Sequence, residues 1–168
     1  MHAQAAFATG DKRRAPRRDR RATEASLVLR QVLEALVLTE LLPRSALTVV
    51  VSVLRAAALN AAVLALADAG VPLRDTAAAA AAGLLDGTPV LDLNYGEEGK
   101  GAEVTAALLP STGRLLLLQH EGARCPLDAF ESVADLAQTG CATIAAFMRE
   151  QLLERTRQLA VARAAERL

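Results

Sequence analysis

The chain has 168 residues, 52% hydrophobic and 23% charged, which suits one packed domain, while 2% aromatic content excludes a core built on aromatic rings. Formal net charge is zero, yet Lys12, Arg13, Arg14, Arg17, Arg18, Arg20 and Arg21 cluster against Asp19 alone, so a basic arm precedes an acidic body. Cys125 and Cys141 are the only cysteines, which excludes a disulfide framework and fits a reducing compartment; no apolar run approaches the roughly 18 residues of a membrane span.

Residues 1–21 show no periodicity and read as an extended or disordered basic arm. The Arg-rich opening also resembles an organellar transit peptide, against which Asp11 and Asp19 argue. Thr23 then offers a helix cap, and Leu29, Val32, Leu33, Leu36 and Val37 recur at helical spacing, predicting a helix that ends near Leu42 before Pro43.

Residues 46–54 form a β-branched run of strand length whose near-continuous hydrophobicity predicts burial on both faces. The Ala- and Leu-rich stretch 55–69 predicts a helix, with Gly70 and Pro72 as its stop. Residues 76–85 are ambiguous, since consecutive alanines favour a helix, but their place between Pro72 and the Asp86-Gly87 turn predicts a buried strand.

Segments 90–94, 102–109 and 114–119, separated by turn signals at Gly99, Gly101 and Pro110 to Gly113, read as a meander. From Pro126 and Asp128 the residues Phe130, Val133, Leu136, Ala137, Ile144, Phe147, Met148 and Leu152 keep helical spacing through Gly140, so the last element is a long helix. The sum is an α+β fold, a two-layer mixed sheet with helices on one face. Its domain plan is a basic arm at 1–21, a folded domain at 22–160 and a helical tail at 161–168.

Several segments, in order, carry a family resemblance: Phe7-Ala-Thr-Gly-Asp11, Leu29-Arg-Gln-Val-Leu-Glu-Ala35, Leu42-Pro-Arg-Ser45, Leu59-Asn-Ala-Ala62, the run from Leu64 to Asp75, Leu91-Asp-Leu-Asn-Tyr95 and Leu109-Pro-Ser-Thr-Gly113. Together they resemble the ribonuclease PH family, and within it the exosome ring subunit of the phosphorolytic lineage. The resemblance implies two tandem repeats per subunit, six subunits to a ring, and RNA threaded toward sites at subunit interfaces. On that pattern this chain holds mostly the second repeat, with the first nearly absent.

Active relatives use inorganic phosphate as co-substrate, with Mg²⁺ implied where the site works, to release nucleoside diphosphates from RNA 3′ ends. Such chemistry needs cations and backbone N–H groups around the phosphates and a carboxylate near the leaving oxygen. The resemblance places Arg20 and Arg21 at an RNA- and phosphate-contacting arginine pair, which the residues alone present as two more charges of the arm. It aligns Arg55 with the end of a glycine-rich phosphate loop that is missing here, Leu54 running straight into Arg55, whose plain role is a surface helix charge.

Leu91-Asp-Leu-Asn-Tyr-Gly-Glu-Glu98 matches the family's catalytic segment, retaining Asp92 and placing Glu98 where the family has an aspartate. Glu97 and Glu98 read equally well as solvated turn residues. His2 and His120 have no partner spacing that suggests a metal site or a triad.

Three functions follow. The first is an exosome-type ring subunit for 3′ to 5′ RNA processing and degradation, catalytically impaired, that binds single-stranded RNA and other ring and RNA-binding cap subunits. It needs no cofactor and would work in the nucleus, nucleolus and cytoplasm of a eukaryote or the cytoplasm of an archaeon. The second is an active phosphate-dependent 3′-5′ exoribonuclease, if the two gaps belong to the transcript rather than the protein. The third is an association module without an RNA role.

Overall fold

A computed structural model describes residues 2–5, 20–51, 55–94 and 96–165. The elements run β1 (His2–Ala5), α1 (Arg20–Leu36), a 3₁₀ turn (Thr39–Leu41), β2 (Thr48–Val51), α2 (Arg55–Asp68), β3 (Ala78–Leu85), β4 (Thr88–Leu91), β5 (Ala102–Leu109), β6 (Arg114–Gly122) and α3 (Leu127–Ala165). This is an α+β fold. Its parallel and antiparallel pairings, expected in one mixed sheet, are separated: β1 and β2 form a two-stranded parallel sheet, and β4-β3-β5-β6 an antiparallel one.

His2–Ala5, expected within a free arm, lie beside β2 in the register His2↔Thr48 to Ala5↔Val51. The β-branched backbone of β2 supplies their ladder partners. Burial of β2 on both faces does not occur, because Val51 is buried while Val50 is 67% exposed.

Leu29, Val32, Leu33 and Leu36 put one stripe of α1 into the core, as their spacing predicts. The helix begins at Arg20, ahead of Thr23, and stops at Leu36, well short of Leu42. Pro43 does not end it. Val37 forms an antiparallel bridge to Leu73, Leu38 N–H donates to Pro72 C=O at 3.0 Å, and Arg74 N–H donates to Leu36 C=O at 2.9 Å. A segment folded from beyond α2 thus captures the backbone groups that would have continued the helix.

The alanine-rich stretch is a strand: β3 pairs with β5 along Ala78↔Leu108 to Gly83↔Glu103 and with β4 from Ala82↔Leu91 to Leu85↔Thr88. Asp86 and Gly87, with φ of 47° and 79°, make the tight turn that joins β3 to β4. The expected meander is corrected by the strand order, since β5 returns to the far side of β3 instead of adding beside β4. The connection between β4 and β5 therefore crosses the end of β3, and it carries Asp92 and Glu98.

α3 covers the face presented by Ala80, Ala82, Val104, Ala106 and Leu108, packing Val133, Ala134, Ala137 and Cys141 against it. Gly140 permits the approach: a Cβ there would stand 2.6 Å from Leu91 Cδ1 and 3.0 Å from Ala80 Cβ. The second cluster joins α1 and α2 to Ala77, Ala78, Ala79 and Ala107, and Ala145 and Met148 of α3 belong to it. Arg155 Nε reaches Asp68 Oδ1 at 3.2 Å, tying α3 to the end of α2.

Candidate functional site

β4 pairs with only the second half of β3, which leaves the edge at Ala79 without a strand partner. Asn60 of α2 fills that place. Its Nδ2 donates to Ala79 C=O and its Oδ1 accepts from Ala79 N–H, both at 2.8 Å. One side chain thus imitates a strand and fixes α2 against the sheet edge.

The start of α2 meets the β4–β5 connection at a cleft of about 100 Å³ lined by Ala56, Ala57, Ala81, Ala82, Asp92, Leu93, Glu98 and Glu103. Asp92 is held by its N–H bond to Ala81 C=O at 2.8 Å and has a φ of 58°, the left-handed conformation that aspartate adopts more readily than most residues. Beyond it, Asn94 Oδ1 accepts from Gly96 N–H at 2.9 Å and Glu97 N–H at 3.1 Å, while Glu97 Oε2 accepts from Asn94 N–H at 3.0 Å. The reciprocal Asn94 and Glu97 bonds form a capping box.

That box separates the two glutamates: Glu97 closes the turn and Glu98 faces the cleft. Glu103, only 4% exposed, is the one buried charged residue among the described residues, and it accepts a hydrogen bond from Gly99 N–H. Sequence reasoning missed it. The available signal was a lone carboxylate in the otherwise small and apolar strand Ala102–Leu109.

Asp92 and Glu98 therefore meet in one cleft, at the first turn of α2, where the helix dipole favours negative charge. Arg20 and Arg21 open α1 and Arg55 opens α2, but their side chains lie outside the described residues. The missing phosphate loop falls at residues 52–54, also outside them. His120 lies within β6 rather than after it, its ring edge-on to Phe130 with centroids 5.9 Å apart.

Among the described residues, no three of His, Cys, Asp and Glu stand where they could jointly hold a metal ion. Nor does any described helix have the length and apolarity to cross a membrane.

A solved structure, the crystal structure of rice (Oryza sativa) Rrp46, shares the fold with a TM-score of 0.73 at 23% identity, over 90% of this chain and 73% of that one. Residues 2–72 match the 3′ exoribonuclease family, domain 1.

The Arabidopsis thaliana exosome complex component RRP41 homolog is 49% identical over 98% of this chain and 70% of its own length. Human exosome complex component RRP41 is 42% identical over 82% of this chain and 58% of its own length. Rrp41 of Methanopyrus kandleri is 40% identical over 86% and 63%. The chain belongs to the RNase PH family of 3′ exoribonucleases. It spans less than two thirds of the human and archaeal relatives.

Proposed function

We propose that this chain is a subunit of an exosome-type ring acting in 3′ to 5′ RNA processing and degradation, as scaffold and RNA-binding surface rather than as a full-strength phosphorolytic site. Its partners are other RNase PH-like ring subunits, RNA-binding cap subunits and single-stranded RNA, in the compartments where such rings work, nuclear and cytoplasmic. The likeness to exosome components across 98% of the chain supports the assembly.

The cleft supports impairment. Three carboxylates, Asp92, Glu98 and Glu103, line it, and their charge disfavours an entering phosphate. Its volume of about 100 Å³ is below the roughly 300 Å³ typical of the smaller ligand pockets. RNA affinity then comes from the arginine-rich residues 12–21 and their neighbours, through phosphates and without base preference.

A second reading, a working phosphate-dependent exoribonuclease, is favoured by one observation: Asp92 and Glu98 stand together at the start of α2. Inorganic phosphate would be its co-substrate, with Arg20, Arg21 and Arg55 as phosphate and RNA contacts. The deciding experiment reconstitutes the ring with and without this chain and measures nucleoside diphosphate release in phosphate buffer. Equal release upholds the scaffold; release that needs the chain and disappears in Glu98→Ala establishes the enzyme.

A further inference from the structure

From Ala145 onward one side of α3 meets the body and the other does not. Ala145 and Met148 are buried, Leu152 and Leu159 are half-buried, and Arg155 reaches Asp68 of α2. At about 100° per residue these positions share one side of the helix. The opposite side carries Ala146, Glu150, Leu153, Arg157 and Ala160, spaced four and three residues apart as in a helix–helix seam, with Phe147 and Val161 flanking them. Phe147 is 60% exposed, Leu153 49% and Val161 71%. Single exposed apolar residues are ordinary, but a stripe of them along one helix face is the pattern of a contact surface.

The charges on this face say what it fits. Glu150 and Arg157 stand equally far from a point between Leu153 and Glu154, as do Ala146 and Val161, and Phe147 and Ala160. A second copy of the helix, turned end for end about that point, sets Glu150 against Arg157 twice and brings Ala146 and Phe147 onto Ala160 and Val161. A parallel copy would set Glu150 on Glu150 and Arg157 on Arg157, which repels. Two turns apart, Glu150 and Arg157 cannot pair within one helix. Glu154, at the centre, is answered inside its own helix by Arg157 at 4.0 Å and by Gln158, whose Nε2 donates to it at 3.1 Å. The face also holds an open groove of about 420 Å³, with Ala146, Glu150, Leu153 and Arg157 in its lining, which leaves room for a partner's side chains.

We propose that the outer face of α3, residues 146–161, is a docking surface for a second copy of this chain, packed antiparallel with Glu150 of each helix against Arg157 of the other. It uses neither the cleft nor the basic residues 12–21, so it stands apart from the role proposed above. At 1.5 Å per residue the contact is about 24 Å long, at the small end of specific interfaces, and the dimer forms and parts reversibly.

Sedimentation equilibrium of the full chain over a concentration series tests this. The wild type should show a monomer–dimer equilibrium. Glu150→Arg and Arg157→Glu each place like charges opposite one another, and each should raise the dimer Kd about tenfold or more. The double variant Glu150→Arg/Arg157→Glu should recover dimerisation, and so should an equimolar mixture of the two single variants, because each then meets its complement. A wild type that stays monomeric overturns the proposal, as does a Kd untouched by either single reversal. A double variant as weak as the single ones overturns it too, since that is the outcome expected if the face receives a different ring subunit.

Discussion

Asp75 and Ser111, 36 positions apart, are joined twice: Asp75 Oδ2 accepts the Ser111 hydroxyl at 2.6 Å and the Ser111 N–H at 3.0 Å. Asp75 Oδ1 accepts from Thr76 N–H at 2.7 Å as well. The two residues come from separate motifs, the Leu64 to Asp75 run and Leu109-Pro-Ser-Thr-Gly113, and the contact pins the β5–β6 turn to the segment that enters β3.

Burial pushes the Asp75 carboxyl up, but the Ser111 hydroxyl, the Ser111 N–H and the Thr76 N–H together outweigh it and hold the group below its ordinary value of 3.8. A depressed value stabilises the fold above about pH 4, and that contribution is lost as the pH falls through the depressed value. Asp75→Ala should cost about 1 kcal/mol at pH 7, the lower range for bonds to a charged group in a partly solvated setting. Urea unfolding of both proteins at pH 7 and pH 3 should show the difference shrinking at acid pH.

Asn60→Ala should cost about 2 kcal/mol, because it strips the partners from both Ala79 N–H and Ala79 C=O at a buried position. Asn60→Asp keeps the acceptor for the N–H but faces a carboxylate to the C=O, so it should not rescue stability. Exchange of the Ala79 amide distinguishes them: fast in Asn60→Ala, still protected in Asn60→Asp.

Gly140→Ala removes a helix-interior glycine, a change that by propensity alone should gain about 1 kcal/mol. Here it should lose about 1 kcal/mol, since the new methyl meets Ala80 Cβ at 3.0 Å and Leu91 Cδ1 at 2.6 Å. Leu91 is a movable side chain, 40% exposed, and Ala80 is fixed on β3. Adding Leu91→Ala should recover part of the loss, seen as non-additivity in a thermal-unfolding double-mutant cycle.

Cys141 has no exposed surface, and its Sγ donates to Ala106 C=O at 3.4 Å. Burial raises its thiol to about 11. A thiol reagent should therefore label Cys125, which is partly exposed, in the native protein, and Cys141 only on unfolding. A raised value stabilises the fold fully below the unfolded value near 9.0, so stability should fall between about pH 9 and 11, and Cys141→Ala should flatten that slope.

Much of the fold was legible in local pattern. The stripe of Leu29, Val32, Leu33 and Leu36, the span of α2 before Gly70 and Pro72, and β5 at residues 102–109 follow from periodicity and turn chemistry, which act within one element. The motif resemblance likewise gave the family.

Other features belong to the tertiary structure. Alanines 77–82 favour a helix locally, yet β3 forms because β5 on one side, and β4 with Asn60 on the other, satisfy its backbone. The end of α1 depends on Pro72, Leu73 and Arg74 arriving from beyond α2, which no helix-stop signal near Leu42 reveals. The division of labour between Glu97 and Glu98, and the burial of Glu103, follow from a strand order that carries the β4–β5 connection across the end of β3. Periodicity states which face of an element is apolar; which distant backbone and side-chain groups satisfy its polar atoms is settled only when segments far apart in sequence compete for the same hydrogen bonds.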